Sequence, residues 1–333
     1  MKTKHRNYGL DLVKIFACIL VVTLHCLPPE SSIVKNNLFN SSLYYSGTIA
    51  IPIFFMASSY FILNKPAISY TYVFKRIINI LFIVLSWIFL YSIAYLIFKH
   101  NFDFLSQLKG SIFTGVPHQH FYHFWFFWAL LISPLLWWLL QNHFNAYILL
   151  TVIITIICLA IDLLIHFGYT SLLQSTPQVF RLNIYIEYYL LGGLVGNIHF
   201  KRKSNYLKTR FFLFSTLTTL LYFLLIAYSL WNRNIIHWVY AEANYNNILV
   251  ILTSTLALVL FAISSPKGDK FIEFIIPATM GIYMLHPFFI GKLSNMTLFH
   301  TYPSLMIILI FMLCLIIVEI ALRVPIINRL FKL

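Results

Sequence analysis

Residues 10–25 read LDLVKIFACILVVTLH. The run is apolar without the strict alternation of a half-buried strand, so it reads as a helix. Two ionisable side chains interrupt it, Lys14 and His25. Eleven positions at about 100° each make three turns plus roughly 20°, which puts both on one helix face, about 16 Å apart along the axis. A cation and an imidazole on one stripe of a membrane helix cost free energy unless they face protein, water or a ligand. Each is therefore a candidate functional residue.

The rest of the chain supports a membrane reading. Of 333 residues, 60% are apolar and 10% are charged, too little polar surface for a soluble domain of this size. Lipid offers no hydrogen bonds to the backbone, so only helices or closed barrels cross it, and continuous apolar runs favour helices. Ten spans are expected, at 12–27, 44–63, 77–98, 122–140, 146–166, 182–199, 211–230, 246–264, 271–291 and 303–322. The expected fold is an all-α polytopic bundle forming a single domain over 1–333, with no appended soluble domain. With both termini cytoplasmic, sixteen Lys and Arg residues fall in inside segments and six in outside ones, the bias that orients membrane helices. Lys2, Lys4 and Arg6 imitate the start of a signal peptide, but no small-residue cleavage site follows, so the first span reads as retained.

The formal net charge of +14 sits in short clusters between apolar runs. No basic face interleaved with exposed aromatics is visible, so nucleic acid is not an expected partner. Cys18, Cys26, Cys158 and Cys314 form no CxxC pair and read as small buried side chains. Soluble-enzyme signatures such as GxxxxGK[ST], GxGxxG and GxSxG are missing from the sequence. There is no HExxH, and His118 and His120 in the 99–121 loop are a weak metal signal, so no metal is expected.

In the ten-span topology His25, His123 and His286 all lie toward the outer end of their spans, which makes a shared site possible. Histidine is the side chain best matched to proton transfer near neutral pH. Such a base could take a proton from a sugar hydroxyl that attacks an activated acyl group. Asp11, three residues before Lys14, could orient that cation, and Lys14 could meet a phosphate. Interfacial snorkelling explains Asp11 and Lys14 as well. A helix-packing hydrogen bond would explain His25, and an aromatic belt beside Tyr122 and Trp125 would explain His123. His286 precedes Pro287, where the helix could end or bend. Ser58, Tyr60 and Glu187 are further polar candidates within spans. Gly192 and Gly196 form a GxxxG that signals close helix approach.

At this point the chain resembles the acyltransferase-3 family of integral membrane acyltransferases. The family opens with a basic residue followed by His, as Lys14 and His25 stand here. IPIFFMASSYFIL at 51–63 resembles its PLFFxxSGY segment, with Ser59 where Gly often precedes the Tyr. Lys75 and Arg76 stand where the family has a basic start to the next span. YHFWFFWAL at 122–130 resembles its LWFL span, and GIYMLHP at 281–287, with Tyr283 and His286, its GIYLxHP span. The resemblance implies transfer of an acyl group, commonly acetyl from acetyl-CoA as donor substrate, to an envelope glycan or undecaprenyl-linked sugar in a bacterial cytoplasmic (inner) membrane. It implies that Lys14 and His25 are functional, with His25 the base. Two other readings stay open. One is a polysaccharide exporter or flippase without acyl transfer, and the other, weaker, is a membrane sensor.

Overall fold

The computed structural model describes residues 6–64, 67–113, 121–201, 209–264, 270–297 and 301–331. Regular structure among the described residues is entirely helical. Seven segments are long and apolar enough to cross a membrane: Tyr8–Cys26, Tyr70–Ile97, Tyr122–Leu140, Phe144–His166, Phe211–Ile235, Lys270–Leu293 and Pro303–Leu322. The other three expected spans also lie on helix. The second is split into Leu38–Ser46, a tighter turn at Gly47–Ile49, and Ala50–Ser59. There Ser46 and Thr48 give their hydroxyls to the carbonyls of Leu43 and Tyr45, bonds that compete with the regular helix pattern. The sixth lies on Leu182–Lys201 and the eighth on the shorter Ile248–Ser264. Part of the 99–121 loop forms a helix, Phe104–Phe113. His118 and His120 lie outside the described residues.

The first helix starts where Asn7 accepts a hydrogen bond from the Leu10 backbone, satisfying one of the free donors of its first turn. It is the hub of the bundle and packs against Ala50–Ser59, Ile248–Ser264, Thr279–Leu293 and Pro303–Leu322. The rim is different. Phe144–His166 and Phe211–Ile235 turn side chains such as Ile156 and Phe223 outward, as lipid-facing helices do.

Close backbone approach fixes the second span against the sixth. A Cβ at Gly192 would stand 2.2 Å from the Met56 carbonyl oxygen, and one at Gly196 only 1.7 Å from that of Tyr60. The GxxxG is thus a packing seam. All four cysteines are free and buried.

Of the two outcomes expected at Pro287, an end or a bend, the helix does not end there. Thr279–Leu293 continues through it. The missing N–H of Pro287 leaves the Tyr283 carbonyl without its helical donor. The imidazole of His286 sits against the carbonyls of Ile282 and Tyr283.

Candidate active site

The three histidines expected at one depth form one cluster. The rings of His25 and His286 are 5.0 Å apart between centroids, and those of His123 and His286 are 5.7 Å apart. Each comes from a different segment: the first helix, the turn Tyr122–Phe124, and the helix Thr279–Leu293. His123 and His286 are buried and His25 is half-buried. Among the described residues no group of His, Cys, Asp or Glu is arranged to hold a metal ion.

Hydrogen bonds orient the rings. His25 Nδ1 lies 2.7 Å from the Tyr122 hydroxyl. His286 donates from Nδ1 to the Ile282 carbonyl at 3.1 Å, and His123 donates from Nε2 to that of Met284 at 3.3 Å. A carbonyl only accepts, so the tautomers of His286 and His123 follow from these partners. Tyr283 donates its hydroxyl to the His123 carbonyl at 2.6 Å, and its ring lies 5.8 Å from that of His286.

Tyr283 also belongs to a second feature. A cleft of about 480 Å³ runs beside the other half of the first helix, lined by Lys14, Ser58, Tyr72, Arg76, Tyr189 and Tyr283 among apolar neighbours. Ser58 and Arg76 are exposed at it. Lys14 is half-buried, and no hydrogen bond or ion pair reaches its ammonium among the described residues. The histidine rings do not line the cleft. Tyr283, with Phe126 and Phe127 packed on it, stands between the cleft and the cluster.

The sequence candidates therefore divide. Lys14, Ser58, Arg76 and Tyr283 meet at the cleft, while His25, His123 and His286 meet at the cluster. Asp11 lines neither group: its carboxylate pairs with Arg6 and reaches the Lys14 ammonium only through space. Tyr60 is buried and held in the seam against Gly196. Lys75 is exposed and is not among the cleft residues. Glu187 is buried and faces Thr155 and Cys158 on Phe144–His166, away from both.

Tyr122 reads in the sequence as an aromatic neighbour of His123, yet its hydroxyl holds His25. Its position immediately before His123 was the available signal. Arg181 and Glu242, which no motif marks, face each other at 4.0 Å. Burial raises the Glu242 carboxyl above its ordinary range, with Arg181 opposing that shift.

The sequence profile of the family described as an acyltransferase domain matches residues 7–324. An amino-acid racemase of Enterococcus faecalis is 29% identical over 147 residues, which are 40% of this chain and 19% of that protein. A serine/alanine racemase of Enterococcus gallinarum is 26% identical over 140 residues, 39% of this chain and 19% of that protein. The match thus spans about a fifth of the length of either relative. No solved structure matches the chain.

Proposed function

We infer the function from one premise: the chain belongs to the acyltransferase-3 family, so it is a membrane acyltransferase. We propose that it moves an acetyl group from acetyl-CoA to a hydroxyl of a cell-envelope glycan or undecaprenyl-linked sugar, in the cytoplasmic membrane of a bacterium. Within the family, the segment 122–127 most resembles that of the enterobacterial common antigen O-acetyltransferase, which acetylates N-acetylglucosamine units of a surface polysaccharide. A hydroxyl of such a sugar is the acceptor we assign.

The observation that carries this reading is the pairing of two environments along one helix. Lys14, which no described residue bonds directly, stands beside a cleft that Arg76 shares, an arrangement suited to the phosphates of an acyl-CoA. His25 stands at the other end among imidazoles, with Nδ1 held by Tyr122. For His25 to act as base through Nε2, Nδ1 must carry its proton and give it to the Tyr122 oxygen. The phenol then has its own O–H to donate to bound substrate, where it would stabilise charge developing on the thioester oxygen. In this reading the donor enters from the cytoplasm, the acceptor comes from the outer side, and Tyr283 lies at their meeting point.

Mass spectrometry of surface glycans tests it. A deletion strain complemented with wild type should regain an acetyl mass increment that complementation with His25→Ala does not restore. Unchanged glycan masses with reduced surface polymer would point to an exporter instead.

A further inference from the structure

The hydrogen bonds of His286 fix which of its ring nitrogens is basic. Its Nδ1 faces the Ile282 carbonyl at 3.1 Å. Because a carbonyl cannot donate, Nδ1 carries the ring proton and Nε2 carries the lone pair. That Nε2 is buried and has no hydrogen-bond partner among the described residues. Pro287 reinforces the arrangement, since the Tyr283 carbonyl it leaves without a helical donor also lies against this imidazole. The helix thus holds one tautomer of His286 with its basic nitrogen unoccupied, next to the ring of His25 at 5.0 Å between centroids.

His25 differs. Its only hydrogen-bond partner among the described residues is the Tyr122 hydroxyl, which can donate or accept, so its tautomer is free to change. When His25 takes a proton at Nε2 it becomes an imidazolium with N–H on both sides. Tyr122 can receive Nδ1–H, whereas Nε2–H needs an acceptor. Buried lone pairs in this cluster are costly to leave unmatched, and the His286 Nε2 lone pair belongs to the ring beside His25.

We propose that His286 acts through His25 as a positioning residue that accepts the proton His25 removes from the hydroxyl, an inference that rests on the acyl-transfer reading. The acceptor oxygen forms its bond to the thioester carbonyl carbon as its proton passes to His25 Nε2. The carbon–sulfur bond then breaks and CoA leaves as the thiolate. His25 shares the proton with His286 Nε2 during this interval and returns it to the thiolate, giving the acetyl ester and CoA thiol. Both imidazoles end neutral, and no other reactant is consumed.

The test compares wild type, His286→Asn, His25→Ala and the double variant, in membranes supplied with radiolabelled acetyl-CoA and a glycan fraction from the deletion strain. Asn keeps an N–H to give to the Ile282 carbonyl and lacks a basic nitrogen, so it separates support of the helix from proton transfer. The expected result is a fall in kcat of about 10²-fold for His286→Asn with KM for acetyl-CoA unchanged. The double variant should be no slower than His25→Ala, because residues acting as one unit are not additive. Wild-type kcat in His286→Asn, or losses that multiply in the double variant, would overturn the role of His286 and leave the acyl-transfer reading in place. If the Asn variant does not accumulate in membranes, His286→Gln is measured against the same two outcomes. Absence of labelled glycan with wild-type protein would instead count against acetyl transfer itself.

Discussion

The two ends of the first helix place an ionisable side chain on the same face in opposite surroundings. At the His25 end the neighbours are close, aromatic and hydrogen-bonded, and the rings of His123, His286 and Tyr122 hold one another. At the Lys14 end there is a cleft of about 480 Å³ and a cation that no described residue pairs. A buried, hydrogen-bonded cluster suits a step in which a proton moves, because polar groups there act without first rearranging solvent. An open cleft with unmatched positive charge suits binding an anion that must enter and leave. In the proposed reading, one stripe of a helix divides chemistry from binding.

The sharpest way to break this contrast is His25→Ala, which should lower kcat by about 10³-fold with KM for acetyl-CoA and the thermal midpoint of the purified protein little changed. A matching rise in KM would show that the two ends are not separate. Lys14→Met comes next. It should raise KM for acetyl-CoA by about 10-fold, the order of one charge-assisted hydrogen bond, and leave kcat nearly intact, while Lys14→Arg keeps most of the affinity. Tyr122→Phe sharpens the histidine end alone. Losing the bond to Nδ1 should cost about 10-fold in kcat, seen in initial rates at saturating acetyl-CoA. Smallest of all, Lys75→Ala should change neither constant by more than about 2-fold, since exposed charges contribute little. A large effect there would move the donor site away from the cleft.

Much of this arrangement was legible in the sequence. The helical spacing of Lys14 and His25 gave their shared face. Alternating spans gave the common depth of His25, His123 and His286. Gly192 and Gly196 gave the seam. What periodicity cannot give is which neighbour a face meets. Glu187 lies within a span, but its face meets Thr155 and Cys158 and not the histidines. Asp11 and Lys14 are spaced for a helical pair, yet Arg6 sits in the turn before the helix, where helical spacing does not apply, and takes the carboxylate. Pro287 reads as an end or a bend, but the chain stays helical through it, and an imidazole covers the carbonyl it leaves open.

Equilibrium binding of acetyl-CoA to purified wild type, His25→Ala and Lys14→Met tests the division between the two ends most directly. His25→Ala should bind like wild type and Lys14→Met about 10-fold more weakly. Lost binding in His25→Ala, or wild-type binding in Lys14→Met, would contradict it.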